Sequence, residues 1–285
     1  VSLRQGEYVK VHLHAADRDA LRRRLEAVGT VVRWSADDLG EQSAEFARAV
    51  GDRAIHVMTD AAGSMSRDGA RRLGVTLLDS YVSLGETAVP ETHLDPAEMY
   101  AALRRGERVS TSQASSFERH QHYAKTLRLH GRVLYVCVGS VFTGNHKLAV
   151  EWQRAHDPDG RLTVLDSGAA SGRLGLIARA AARRAQSSAD AEDVIAFARW
   201  AAEACREWVF LDKLHWLAVG GRLSKPGAFF GDLLHVKPII SPLPEGAKKV
   251  GTVRRAADQL PFALARLEET LGPRGAGTVL LEHSD

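Results

Sequence analysis

The sequence predicts an α/β fold in two lobes, a parallel-sheet lobe followed by a second lobe of mixed helices and strands. Three observations lead there. Val133-Leu134-Tyr135-Val136-Cys137-Val138 is an unbroken apolar run between Gly131 and Gly139, the pattern of a short strand buried on both faces. Similar runs recur along the chain with helical patterns between them, as a parallel sheet requires. The chain has 285 residues and 45% hydrophobic content, enough for a sizeable core divided between two lobes.

The first fifty residues read as separate from the rest. Tyr8-Val9-Lys10-Val11-His12-Leu13-His14 alternates at period two, as a half-buried strand does. Residues 17–29 form a helical pattern with Leu21, Leu25 and Val28 on one face, and residues 30–34 a short strand. His12 and His14 share a strand face, but no third ligand accompanies them, so they read as solvated histidines and no metal site is assigned. The domain expectation is therefore 1–50, then a first lobe over 51–165 and a second over 166–285.

In the first lobe, Ala54-Ile55-His56-Val57-Met58 is an apolar strand that delivers Thr59 and Asp60 at its carboxyl end. Ligands of α/β sheets gather at that end. A helix is expected over 67–73, a strand over 75–82 containing Asp79, and a polar loop over 90–95. Asp95-Pro96 suits a helix start, with Pro in the first turn. The stretch Val109-Ser110-Thr111-Ser112-Gln113-Ala114-Ser115-Ser116 then crowds hydroxyls ahead of a helix that carries Phe117, Tyr123 and Leu127 among its apolar positions. Hydroxyl oxygens there can cap free N–H groups, and the same helix end attracts anions. His120 and His122 lie two apart, cannot share a helix face, and are expected at the surface.

After the 133–138 strand, Gly139-Ser140-Val141-Phe142-Thr143-Gly144 leads into a helix near His146. A strand, a Gly- and hydroxyl-rich loop and a helix turn backbone N–H groups toward an anion, although the Gly-Lys-Ser/Thr ending of a P-loop is absent. A strand over 162–165 ends in Asp166-Ser167-Gly168, and three glycines then precede a helix over 176–185. Residues 187–190 break it and cap the next, whose Val194, Phe197, Ala198, Ala201 and Cys205 make a core stripe. Further strands are expected at 207–212, 237–240, 251–255 and 278–282. A helix over 214–220 closes on Gly220-Gly221, with Arg222, Ser224 and Lys225 directly behind.

These pieces define the chemistry. Hydroxyls at Thr111, Ser112, Ser140 and Thr143, with backbone N–H groups around Gly144, make a neutral cradle for an oxyanion. Arg222 adds a forked cation suited to carboxylate or phosphate, although a base past a helix end can equally complement the helix dipole. No Gly-x-Ser-x-Gly elbow, His-Glu-x-x-His motif or paired Cys-x-x-Cys motif occurs, and no nucleophile can be matched with a base. The chain is thus not expected to be an enzyme by itself. A net charge of +3 with interspersed signs gives no nucleic-acid arm. Two cysteines, one inside the 133–138 strand, suit a reducing compartment. No apolar run reaches the ~18 residues of a membrane helix, and a cytoplasmic protein is expected.

Taken in order, Thr59-Asp60, the Thr111-Ser112 stretch, the 139–144 loop, Asp166-Ser167-Gly168 and Gly220-Gly221-Arg222-Leu223-Ser224 resemble the DegV family of bacterial fatty-acid-binding proteins. The resemblance spans roughly residues 52–283. It implies a long-chain fatty acid as ligand, with its carboxylate near Thr59, Asp60, Thr111, Ser112, Ser140, Thr143, Gly144 and Arg222, and no cofactor. It also implies a fatty-acid kinase catalytic domain, fused or separate, to which the acyl chain is presented for acyl-phosphate formation. Val9 to His14, with Gln42 downstream, resembles the end of the strand-helix module of that kinase protein. Two departures stand out: Ala61-Ala62 replaces the family's Ser-Thr pair, and Thr143-Gly144-Asn145-His146 stands where Ser-Gly-Thr-Tyr is usual. The family also continues with a further helix and strand beyond His283. A small-anion or phosphate-ester enzyme, or a ligand-free interaction module, are the alternatives the same residues leave open.

Overall fold

The computed structural model describes residues 2–5, 8–11, 17–31, 53–85, 87–212, 236–272 and 275–283. It divides into two compact units, residues 1–49 and 50–285. In the first, strands β1 (Ser2–Gln5) and β2 (Tyr8–Val11) pair antiparallel with Ser2 opposite Val11. Helix α1 (Arg18–Glu26) starts at Asp17, whose carboxylate accepts from the Asp19 and Ala20 N–H groups at 3.0 and 2.9 Å. Val28 lies beyond its end and is 84% exposed, so it does not join the apolar face. His12, His14, Gln42 and most of the expected 30–34 strand fall outside the described residues.

The second unit follows the chain as β3 (His56–Asp60), α2 (Arg67–Leu73), β4 (Val75–Leu78), β5 (Tyr81–Leu84), β6 (Thr87–Pro90), α3 (Pro96–Arg104), β7 (Val109–Ser112), α4 (Ser116–His130), β8 (Val133–Cys137), α5 (Asn145–His156), β9 (Leu162–Asp166), α6 (Ser171–Ser187) and α7 (Ala191–Ala204). Strands β10 (Val209–Phe210), β11 (Lys237–Leu243) and β12 (Gly246–Val253) and helix α8 (Gln259–Leu271) complete it. A parallel sheet of order β4-β3-β8-β9 is its centre, and β6-β5-β7 and β10-β11-β12 are separate antiparallel sheets. The architecture is the expected α/β one, with a parallel and an antiparallel part.

Both faces of the parallel sheet are covered, which is why β8 reads as a continuous apolar run. Side chains alternate along it. Leu134, Val136 and Val138 join Ile55 and Val57 against α6 and α7, where Leu174, Ile177, Ala178, Ala181, Val194 and Ala198 are buried. Val133, Tyr135 and Cys137 join Met58 and Leu78 against α4 and α5, through Tyr123, Leu127, Ala149 and Trp152. The boundary at 166 falls on the last residue of β9, and α6 and α7 beyond it pack on the parallel sheet.

Several elements differ from expectation for identifiable reasons. The 75–82 strand is two strands in different sheets, because Asp79 turns the chain: it accepts from the Thr92 N–H at 3.1 Å and pairs with Arg67 at 3.2 Å. Thr111 and Ser112 lie in β7 rather than in a cap loop, opposite Val82 and Tyr81 of β5. The cap is Ser115, which accepts from the Glu118 N–H at 3.2 Å. Phe117 is 73% exposed and not a core position, whereas His120 and His122 are half-buried rather than at the surface. Helix α6 begins five residues early and takes in Gly172 and Gly175. A Cβ at Gly175 would run into the Gly63 carbonyl oxygen, so the glycine permits the helix to touch the loop after β3. Residues 278–282 form no strand, and the 207–212 strand shortens to Val209–Phe210. The expected helix over 214–220 lies outside the described residues.

At the amino end of β3 the rings of His56 and His130 stack, with centroids 3.5 Å apart and planes within 5°. His56 Nε2 lies 2.8 Å from the Thr76 hydroxyl. Burial, then the neighbouring His130 and Arg53, push the His56 pKa down to about 3. Burial and Arg53 bring His130 down to about 4. An unfolded histidine takes up its proton near pH 6.5, so the unfolded chain binds more protons than the folded one below that pH. Stability is therefore complete above pH 6.5 and lost as pH falls from there toward the folded-state values. His56 alone should account for about 2 kcal/mol of lost stability at pH 5. Urea unfolding between pH 7 and 4.5 should show this loss, with a shallower slope for His56→Gln; identical slopes would exclude His56 as the source.

Candidate functional site

The carboxyl ends of β3, β8 and β9 open on one edge of the parallel sheet, where β4 and β8 lie on opposite sides of β3. That reversal of strand order is where open α/β sheets bind ligands. Thr59 and Asp60, at the end of β3, are both fully buried. The Thr59 hydroxyl donates to the Val136 carbonyl of β8 at 2.7 Å. Asp60 is the hub of a polar cluster inside the lobe. Its Oδ1 accepts from Arg119 Nη1 at 2.9 Å, the Tyr135 hydroxyl at 2.8 Å and Asn145 Nδ2 at 3.0 Å. Its Oδ2 accepts from the Val138 N–H at 2.8 Å.

Val138 and Asn145 are the residues on either side of the 139–144 loop, so one carboxylate grips both ends of it. The loop is held further by β9. Asp166 Oδ1 accepts from the Ser140 and Gly168 N–H groups, each at 3.0 Å, and the Gly139 N–H donates to the Ala169 carbonyl at 2.8 Å. A Cβ at Gly139 would lie 2.9 Å from Ala169 N, closer than any side chain tolerates, so two backbones meet there. Ser140 is left exposed at the tip, Thr143 is half-buried with its hydroxyl accepting from the Asn145 N–H at 3.2 Å, and Gly144 is exposed.

The loop also meets the hydroxyl-rich stretch. Both terminal atoms of the Gln113 side chain lie 3.7 Å from where a Cβ on Gly144 would stand. Thr111 and Ser112, exposed on β7, lead directly to that contact. The structure therefore gathers Ser140, Thr143 and Gly144 with Gln113, places Thr59 and Asp60 beneath them in the interior, and brings Thr111 and Ser112 up from β7. Arg222 lies outside the described residues. Among the described residues, no group of three or more potential metal ligands occurs.

Beside the end of β3 lies a recess of about 330 Å³, lined by Ala61, Ser64, Met65, Ser66, Arg67, Glu91 and Thr92. Arg67 bridges the Thr92 hydroxyl at 2.7 Å and Asp79 at 3.2 Å. Glu91 is half-buried and accepts from the Ser80 N–H at 3.2 Å. Burial raises its pKa, the Ser80 N–H opposes that, Asp79 and Asp60 raise it further, and Arg119 lowers it. Burial, the largest single influence, works against the charge of Arg119, but the charge and hydrogen bond of Asp60 together with Tyr135 and Tyr123 leave its pKa raised. Burial also drives the Tyr135 hydroxyl well above the ordinary tyrosine value, so it stays a donor to Asp60.

Arg119, Tyr135, Asn145 and Glu91 escaped the sequence reading. One signal was available for Arg119. The buried face of α4 is Arg119, Tyr123, Thr126 and Leu127, a helical spacing with a cation among apolar residues. A charge on such a stripe requires a buried partner.

Residues 54–283 match the family model described as uncharacterised protein, DegV family, and the chain belongs to the DegV family. A DegV domain-containing protein of Streptomyces coelicolor is 26% identical over 231 residues, 79% of each chain. The DegV family protein of Thermus thermophilus, whose structure is described for its fatty acid binding, is 26% identical with a TM-score of 0.70, covering 78% of this chain and 79% of that one. DegV of Bacillus subtilis, described as a fatty acid binding protein, shares the fold at 23% identity and a TM-score of 0.67, covering 76% of this chain and 78% of that one.

Removing the hub tests its role. Asp60→Ala leaves the Arg119 charge buried without its counter-ion and should cost about 3–5 kcal/mol in urea unfolding. Hydrogen exchange should quicken at Val138 and across 139–145 before global unfolding. A loss below about 1 kcal/mol would mean that the loop is held by other contacts.

Proposed function

We propose that this chain binds a long-chain fatty acid and presents its carboxylate at the 139–144 loop to a fatty-acid kinase catalytic domain, fused or separate. The observation that carries the reading is the meeting of that loop with Gln113 at the carboxyl edge of the sheet, in a chain 26% identical to a Thermus thermophilus relative described for fatty acid binding. Ser140 at the exposed tip, Thr143 behind it and Thr111 and Ser112 on β7 supply hydroxyls, and Arg222 supplies a cation. Thr59 and Asp60 serve from below by fixing the strand end and the loop. Ala61 and Ala62 offer no hydroxyl, so the head group relies on the loop and β7 side.

The energetics suit such a ligand. Each buried methylene contributes about 0.8 kcal/mol, so a sixteen-carbon tail offers roughly 12 kcal/mol before ordering costs. A hydrogen bond to the carboxylate contributes about 1.5–3 kcal/mol. The tail dominates affinity and the polar loops set which end faces out. Acyl-phosphate formation belongs to the kinase domain, and this chain acts as its lipid-binding component.

Organic extraction of natively purified protein followed by mass spectrometry should recover a long-chain acid. Recovery of none, together with no uptake of added palmitate or oleate, would end the proposal. Ser140→Ala and Thr111→Ala should each weaken palmitate binding about tenfold, by the loss of one hydrogen bond to a charged group, while the melting temperature holds. Unfolding without a separate binding defect would make the hydroxyl structural.

A further inference from the structure

Two adjacent residues at the start of α4 are tied to different sheets. Arg119 donates to Asp60 of β3, in the parallel sheet, at 2.9 Å. Glu118 accepts from Tyr81 of β5, in the antiparallel sheet β6-β5-β7, whose hydroxyl lies 3.0 Å from Oε1 and 3.1 Å from Oε2. A phenol donates to a carboxylate, and a bond to a charged acceptor is among the stronger ones. Burial, then the Glu118 carboxylate and Asp79, push the Tyr81 pKa up to about 12, so the hydroxyl keeps the proton it donates. Tyr81 also reaches the other end of the same stretch. In the β5–β7 ladder it stands opposite Ser112, the last residue of β7. Its backbone fixes the point where the chain leaves the sheet, and its side chain fixes the point where the chain enters α4. Residues 113–117 run between these points, and the Glu118 N–H closes them further by donating to Ser115 Oγ at 3.2 Å. Gln113, whose side chain faces Gly144, opens that span. One tyrosine thus holds both ends of the segment that meets the 139–144 loop, as Asp60 holds both ends of the loop itself.

We propose that Tyr81 is a positioning residue for the head group: through Glu118 it sets the gap between the β7 hydroxyls and the 139–144 loop, and with it the preference for a carboxylate over an uncharged head on the same tail. Tyr81 touches no ligand in this role. Hydrogen bonds weaken steeply as their geometry departs from ideal, and a binding group has to be held within about 0.5 Å of its productive place. A shift at Ser112 therefore weakens the grip on the head and leaves burial of the tail unchanged. Tyr81 and Glu118 are both half-buried, so removing the hydroxyl opens no hole in either core cluster. The inference deepens the fatty-acid reading and rests on it for the identity of the ligand.

The test measures head-group selectivity, which a merely structural role would not move. Wild type and variants are titrated with palmitate and with hexadecanol, which share a tail and differ at the head. The acid-to-alcohol preference should fall about fivefold in Tyr81→Phe, the effect of one lost hydrogen bond, and by the same factor in Glu118→Ala. Glu118→Gln still offers the hydroxyl an acceptor and should keep most of the preference. The double variant Y81F/E118A should lose no more than either single variant, because both changes break one contact. Additive losses overturn the proposed route through Glu118. Lower melting temperatures with an unchanged preference overturn the assignment and leave the fatty-acid reading standing. If wild type takes up neither ligand, the fatty-acid reading falls, and amide hydrogen exchange then decides. Faster exchange across 113–117 and 139–145 in Tyr81→Phe supports the clamp without a ligand. Unchanged exchange in those segments overturns it.

Discussion

One buried carboxylate organises the working edge of this protein. Asp60 takes hydrogen bonds from α4 through Arg119, from β8 through Tyr135 and the Val138 N–H, and from the start of α5 through Asn145. A carboxylate can accept about four such bonds, and here all are made inside the protein. Such a hub is expensive to desolvate and valuable for precision. A buried ion pair adds little net stability compared with apolar packing, but removing one partner is severe. The arrangement therefore favours one geometry over its neighbours rather than raising stability for its own sake. The geometry it selects is the spacing between the Thr111–Ser115 stretch, which runs into the first turn of α4, and the 139–144 loop.

The second constraint is close backbone contact. Gly139 against Gly168 and Ala169, and Gly175 against Gly63, join the loops of β3, β8 and β9 without side chains between them. Contacts of this kind cannot be tuned by changing a rotamer. The side chain of Ser140 stands clear of them, so the loop has a rigid base and an exposed end.

Local signals made much of this legible in the sequence. The β8 run, the Asp95-Pro96 helix start and the Asp190 cap depend on neighbours within a few residues, and the sequence places them correctly. The misses share a different cause. Asp60 and Arg119 are 59 residues apart, and nothing near either one announces the other. Gly172 and Gly175 look like a helix-breaking approach until Gly63 arrives from more than a hundred residues away. The apolar stretch at 75–82 reads as one strand because the turn at Asp79 is made by Thr92 and Arg67 from outside it. Residues 278–282 have strand composition but no partner strand, and composition does not report pairing.

The two faces of the parallel sheet differ in kind. The α6 and α7 side is sealed largely by Ala178, Ala181, Ala182, Ala185, Ala191, Ala198 and Ala201. Alanine has no side-chain rotamers, so these positions lose no torsional freedom on folding and open no space by turning, leaving only a few larger residues such as Leu174, Ile177 and Val194 able to reset. The α4 and α5 side holds Met58, Leu78, Tyr123, Tyr135 and Trp152, each with torsions that can reset. The sheet thus divides the interior into a stiff wall and a compliant one. Any rearrangement of the core by side-chain rotation is expressed chiefly in the aromatic wall, which is the same wall that carries Arg119.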